Sequence, residues 1–149
     1  MNAYDLLKED HKKVADIFQK LEPTTERAIK TREELFSKLN SELEVHAAVE
    51  EQIFYPVLKE AAETRDITFE AFEEHRVVKE LLKELGSTPK DTEEWTAKLT
   101  VLQENVGHHV EEEEGEMFKK ARKVLTNEEA EELGARMDAA KKKLSATAR

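Results

Sequence analysis

His11 is followed 35 residues on by His46-Ala-Ala-Val-Glu50, and His75 is followed 34 residues on by His109-Val-Glu-Glu-Glu113. Imidazole nitrogens and carboxylate oxygens suit iron, manganese or zinc. In a helix, residues four apart lie about 6 Å apart along the axis and about 40° apart in direction, so His46 with Glu50 can reach one ion. His109 with Glu113 can do the same. The chain has no Cys, so disulfides, thiolate ligation and iron-sulfur clusters are not expected.

A spacing of about 35 residues is what a helix, a turn and a second helix occupy, which makes each half a helical hairpin. The flanks repeat with the ligands: His11, Val14, Phe18 and Leu21 lie over His75, Val78, Leu82 and Leu85. In the later helices, Leu39, Leu43, His46, Glu50, Glu51 and Phe54 correspond to Leu102, Val106, His109, Glu113, Glu114 and Met117. A repeat of this length implies an approximate twofold arrangement, with each half supplying the same chemistry to one core.

Apolar periodicity places the first helix over Ala3 to Leu21, with Tyr4, Leu7, His11, Val14, Phe18 and Leu21 facing inward. Glu22-Pro23-Thr24-Thr25 breaks the chain before a second helix facing inward with Leu35, Leu39, Leu43, His46, Glu50, Ile53 and Val57, and kinked by Pro56. Asp66 or Thr68 is the expected cap of a third helix carrying Phe69, Phe72, His75, Val78, Leu82 and Leu85, with Gly86 as its terminator. Asp91 with Glu94 can open a fourth, lined by Trp95, Leu99, Leu102, Val106, His109, Glu113 and Met117. Thr126 to Glu129 opens a shorter fifth helix with Ala130, Leu133, Met137 and Leu144 inward, to pack across the bundle end or mediate self-association. Its Lys141-Lys142-Lys143 run reads as a solvated helix end.

The expected class is all-α: an up-down-up-down four-helix bundle over residues 1–122, with 123–149 an additional short C-terminal helix and tail of the same domain. A length of 149 residues with 38% hydrophobic and 39% charged residues, four Gly and three Pro fits one modest core with solvated outer faces. A formal net charge of -10 argues against nucleic acid and anionic membrane surfaces as partners. Asp5, Lys8, Glu9, Asp10 and His11 interrupt any signal-peptide core, and no stretch approaches membrane-span length. The expected location is the cytoplasm, and the expected state a monomer or weak homo-oligomer.

Taken singly, each His reads as a satisfied core residue, and His-x-x-x-Glu is a weak motif in so Glu-rich a chain. Four His, one in the apolar stripe of each bundle helix, are harder to explain that way. Two buried Glu without cations would cost several kcal/mol each or be forced to protonate, whereas metal ions would neutralise them and occupy the imidazoles. His108 has the same spacing to Glu112 but falls about 100° off the stripe, which reads as surface or as support for a ligand.

With His, His-x-x-x-Glu, His and His-x-x-x-Glu in order, residues 1 to 122 resemble the hemerythrin family in its cation-binding form. The resemblance implies a bundle enclosing two iron ions joined by an oxo or hydroxo bridge, with zinc or manganese the lesser alternatives. By position it implies that Glu50 and Glu113 bridge the ions, His11 and His46 bind one, and His75 and His109 the other. The oxygen carriers have a second His four residues from that of the third helix, where this chain has Ala71 and Lys79. The missing donor disfavours reversible oxygen carriage and favours water, peroxide or another small molecule at that ion. Tyr55, whose repeat partner is Phe118, is the candidate additional ligand; an ideal helix turns it about 140° from Glu50, which favours packing unless Pro56 distorts the turn.

The function expected from the resemblance is binding or reduction of oxygen species, including catalase-like disproportionation of peroxide under oxidative or nitrosative stress. Dioxygen, peroxide and nitric oxide are the expected small-molecule ligands. The alternative is a non-catalytic oxygen or nitric oxide sensor, or an iron reservoir. Ferritin-like oxidases share the bundle but use Glu-x-x-His pairs, the opposite order to that found here.

Overall fold

The computed structural model describes residues 1–147, and these contain helices and no strand. Helix α1 spans Ala3–Leu21, where Asn2 Oδ1 accepts from the Asp5 amide at 2.9 Å and so satisfies one free donor of the first turn. Helix α2 (Ile29–Val49) runs into a π-helical turn, π1 (Glu50–Phe54), and on into α3 (Tyr55–Lys59). Helix α4 covers Ala62–Ser87. The fourth bundle element repeats the second: α5 (Glu93–Glu112), a π-turn π2 (Glu113–Met117) and α6 (Phe118–Val124). Helix α7 (Asn127–Thr147) follows, opened by reciprocal bonds between Thr126 and Glu129.

The architecture is the expected all-α, up-down-up-down bundle with an added C-terminal helix. Its apolar interior forms two clusters. One is built around Leu7, Phe54, Tyr55, Leu58 and Phe118, and the other around Phe18, Leu39, Leu85, Trp95 and Leu102. The layer of buried His and Glu lies between them. Helix α7 packs against α1, α2 and π1, burying Ala130, Leu133 and Met137 in the first cluster. At about 1.5–3 kcal/mol for each large side chain, that contact is integral to the fold. Among the described residues no helix is long and apolar enough to cross a membrane.

Several local expectations are corrected. Helix α4 begins at Ala62, ahead of Asp66 and Thr68; inside it, Thr64 Oγ1 donates back to the Leu58 carbonyl and Thr68 Oγ1 to the Thr64 carbonyl at 2.6 Å. Gly86 does not end it: the helix continues through Ser87 and stops at Thr88, which is extended as a residue before Pro89 must be. Thr92, not Asp91, caps α5, accepting from the Trp95 amide at 3.2 Å. Phe69 is 48% exposed beneath Lys59, because Ile67 and Ala71 take the inward positions of that turn. In the second bundle helix Phe54, Tyr55 and Leu58 are buried where Ile53 and Val57 were expected to lead, a one-residue shift that π1 introduces. Lys141 is turned inward between Met137 and Leu144 and bonds Asp10, so only Lys142 and Lys143 of the Lys run are exposed.

Arg32, 1% exposed, ties the far end of the bundle together. Its guanidinium donates to Thr24 Oγ1 at 3.0 Å, the Thr24 carbonyl at 2.9 Å, the Lys90 carbonyl at 2.6 Å and Thr96 Oγ1 at 3.1 Å, and stacks 4.6 Å over Trp95. Both interhelical loops thus hang on one side chain. Arg32→Met leaves two carbonyls without donors, each worth about 1–3 kcal/mol, and is expected to lower unfolding stability by at least about 2 kcal/mol in urea denaturation. A change below about 0.5 kcal/mol would show that solvent satisfies those carbonyls as well.

Candidate metal centre

His11 comes from α1, His46 from α2, His75 from α4 and His109 from α5, while Glu50 and Glu113 begin the two π-turns. All six are buried, the His at 5–7% exposure and the Glu at 0 and 1%. Inward-facing Nε2 atoms meet the carboxylates: His11 lies 3.0 Å from Glu113 Oε1, His46 3.0 Å and His75 3.1 Å from Glu50 Oε1, and His109 3.4 Å from Glu113 Oε2. Donor atoms fall into two sets, each within 4.8 Å of one another: His11, His46 and Glu113, and Glu50, His75 and His109.

Every imidazole turns its other nitrogen to a carboxylate. Nδ1 of His11 donates to Glu114 at 2.6 Å, His46 to Asp10 at 3.0 Å, His75 to Glu51 at 2.8 Å and His109 to Glu74 at 2.7 Å. An acceptor at Nδ1 keeps the proton there and aims the Nε2 lone pair at the centre, as a metal-binding imidazole requires. These four partners were not singled out as functional in the sequence, although the repeat marks them: Asp10-His11 aligns with Glu74-His75, and Glu50-Glu51 with Glu113-Glu114. His108 stays outside, its side chain 71% exposed, 3.2 Å from Glu112 and 3.8 Å from Glu74.

The π-turns place Tyr55. A wider turn closes a bond five residues back, and the Tyr55 amide donates to the Glu50 carbonyl, so Tyr55 follows Glu50 onto the same face. The expected 140° separation is thereby corrected. Its hydroxyl donates to Glu113 Oε2 at 2.5 Å and lies 3.3 Å from Nε2 of both His75 and His109. The matching turn puts Phe118 at the equivalent place, against Tyr4 and Phe54. Ala71, one of the two positions for a second α4 His, is buried in the first apolar cluster; the other, Lys79, turns outward to Glu51 at 3.1 Å. The phenol therefore lies on the His75/His109 side.

Whether this donor set suits cations can be judged from what its atoms lack. Among the described residues, His46 Nε2 and both oxygens of Glu50 are sealed from solvent and make no hydrogen bond, despite the close approaches of two imidazoles. Sealed ligand atoms that face one another without a well-formed hydrogen bond fit bound cations, which would replace any proton held there and satisfy all three atoms. A cavity of about 40 Å3 adjoins the four imidazoles on the side away from Tyr55, walled by Val14, Leu43, Val78, Leu82 and Val106.

Burial opposes charge on His46, His75 and His109, but facing carboxylates outweigh it and raise all three above the ordinary histidine value, His109 to about 10. Burial likewise acts to raise Glu113, yet its pairing with the imidazoles of His109 and His11 leaves it well below the usual carboxylate range. Burial and then the charges of Glu113 and Glu50 push the Tyr55 phenol well above 10, keeping it a donor. For His109 the stabilisation of the cation-free fold is fully present below the unfolded value of 6.5 and is lost as pH rises through about 10. Cations must displace such protons, so uptake at pH 7 is expected to release protons and apparent affinity to rise about tenfold per pH unit for each one displaced. Titration in weak buffer with an indicator dye measures the release; uptake without protons would contradict these shifts.

The chain's residues 2–121 match the family model of the hemerythrin HHE cation binding domain. An uncharacterized Mycobacterium tuberculosis protein, Rv2633c, is 33% identical over 144 residues, covering 93% of this chain and 84% of that one. A protein of Nostoc sp. described as a DNA nickase is 28% identical over 144 residues; the match takes in 97% of this chain but only 40% of the relative's length. Among solved structures, the HHE cation binding domain-containing homologue of Rv2633c from Mycobacterium kansasii superposes with a TM-score of 0.88 at 28% identity, over 99% of this chain and 89% of that one. With the family model matching most of its length and its buried His and Glu gathered into two sets, the chain belongs to the hemerythrin HHE cation-binding domain family.

Proposed function

We propose that this chain holds two iron ions, with Glu50 and Glu113 bridging them, His11 and His46 on one and His75 and His109 on the other. Carrying this reading is the convergence of four Nε2 atoms on two buried carboxylates while every Nδ1 is held by an outer one. Imidazoles with carboxylates and no thiolate suit iron as they do zinc or manganese, and the family resemblance favours iron among them. When bound, the ions supply Lewis acidity and reversible one-electron chemistry towards dioxygen, peroxide or nitric oxide. The same reading takes Tyr55 as a ligand or immediate neighbour of the ion on the His75/His109 side, and the cytoplasm as the place of work.

The chain's own residues then divide the labour. The valine and leucine walls admit a molecule of two or three heavy atoms to the imidazoles and keep bulk water away, which strengthens electrostatic effects inside. Tyr55 holds a proton at Oη beside Glu113. Asp10, Glu51, Glu74 and Glu114 fix the rings. This equipment fits disproportionation of peroxide, in which one molecule is oxidised to dioxygen as another is reduced to water, so no outside reductant is consumed. Nicking of DNA is a description of the Nostoc relative, and a net charge of -10 argues against phosphate-backbone binding by this chain.

A second reading, a non-catalytic oxygen or nitric oxide sensor or an iron reservoir, draws on one observation. His46 is joined through Asp10 to Lys141 of α7, which gives occupancy of the centre a path to the protein surface. Metal analysis with visible spectra of oxidised, reduced, oxygen-exposed and peroxide-exposed protein separates the two. Two irons per chain with rapid peroxide loss is the expected result; a reversible oxygen or nitric oxide spectrum without peroxide turnover would favour the sensor. His46→Ala and Glu113→Ala are each expected to lower iron affinity by at least roughly 100-fold, and retention of two ions by both would sink the assignment. Tyr55→Phe is expected to alter the visible spectrum of the loaded protein; an unchanged spectrum and metal content would remove the phenol from the ligand set.

A further inference from the structure

The four carboxylates that hold the imidazoles differ in access to water. The side chains of Glu51, Glu74 and Glu114 are 24, 26 and 35% exposed, so solvent, joined at Glu51 by the exposed Lys79, completes their hydrogen bonding. Asp10 is 2% exposed. A carboxylate sealed in this way must find its remaining partner in the protein, and it does so in Lys141, whose Nζ bonds Oδ1 while Oδ2 accepts from His46 Nδ1.

Lys141 comes from α7, the helix without a counterpart in the repeat. It lies on the inward stripe of that helix, in step with Ala130, Gly134, Met137 and Leu144. Seven residues before it, on the same face, Gly134 lets α7 lie directly on the backbone of Met1 to Ala3; a Cβ there would collide with that backbone. The close seat delivers a lysine, 19% exposed, to the one outer carboxylate that water cannot reach.

We propose that Lys141 is a positioning residue of the His11/His46 side: by completing the bonding of Asp10 it fixes the His46 ring, and so sets how firmly one of the two cations is held. This rests on the reading of the centre as a two-cation site. Without Lys141, Asp10 is left buried with one partner and can be satisfied only by turning towards solvent, which frees His46 Nδ1 and lets the ring leave its line with the centre. The other side is insulated, because Glu51 and Glu74 already meet water. Loss of such an outer partner typically weakens metal binding 10–100-fold.

The test uses the full chain loaded with iron and followed by visible spectroscopy during challenge with a chelator. Lys141→Met is expected to release one ion of the two about 10–100-fold faster than wild type, with a changed spectrum, while the second leaves at the wild-type rate. Lys141→Arg, which keeps a cationic donor, is expected to restore most of the wild-type profile, and Lys142→Met, altering an exposed neighbour paired with Asp138, to leave it intact. In an Asp10→Asn background, Lys141→Met should add nothing. Wild-type kinetics for both ions in Lys141→Met, equal acceleration of both, or an arginine variant as leaky as the methionine one would overturn the proposal. If wild-type protein itself takes up fewer than two ions, the two-cation reading fails first and the proposal falls with it.

Discussion

Glu50 and Glu113 set two carboxylates between four helices, at a depth where water cannot solvate them. A charge left alone there would cost several kcal/mol, so the surrounding sequence must bring positive charge or donors to that layer. It does so with polar groups from every bundle helix: an imidazole from each of the four and a phenol from α3. Each imidazole adds a polar nitrogen of its own, which the outer carboxylates satisfy in turn. The two apolar clusters on either side of this layer supply most of the burial that stabilises the fold, and they also keep the layer dry.

The π-turns follow from the same layer. Both begin at an inner Glu, and both shift the helix face by one residue so that a fifth-position side chain follows that Glu inward. Pro56 sits just after the first and lacks an amide donor, which would account for it alone. The second has no proline, only Gly115 within it. A feature present in both halves, with a proline in one, belongs to what the halves share: the Glu, and the need to pack an aromatic side chain directly beneath it. Pro56 is thus accommodated by the turn rather than its cause.

What could be read from residues alone divides along the same physical lines. The six residues that converge in the buried layer were legible because a His or Glu in an apolar stripe stands out against a period of 3.6, and the repeat showed the pattern twice. The bundle was legible from the stripes, strengthened by a family resemblance that the fold and family match support. Asp10, Glu51, Glu74 and Glu114 were hidden by composition, since a chain with 39% charged residues offers carboxylates everywhere. Tyr55 was marked by its asymmetry with Phe118, but its direction was obscured, because a π-turn leaves no compositional mark and an ideal helix points the phenol elsewhere. Lys141 was hidden by its neighbours, although it occupies an apolar-stripe position just as the four His do.

The departures from symmetry fall on different sides of the centre. Tyr55, against Phe118 in the other half, brings its hydroxyl to His75 and His109. Lys141, which has no repeat partner, acts on Asp10 and so on His46. One side therefore gains a donor that can reach the centre itself, and the other gains a clamp on a donor already there. Both additions depart from the repeat, one as a phenol where the other π-turned helix has Phe118, the other on the helix appended after the second hairpin. A duplicated frame would give two equivalent positions; these two side chains make them chemically distinct, one more open to change in its ligand set and one held more rigidly.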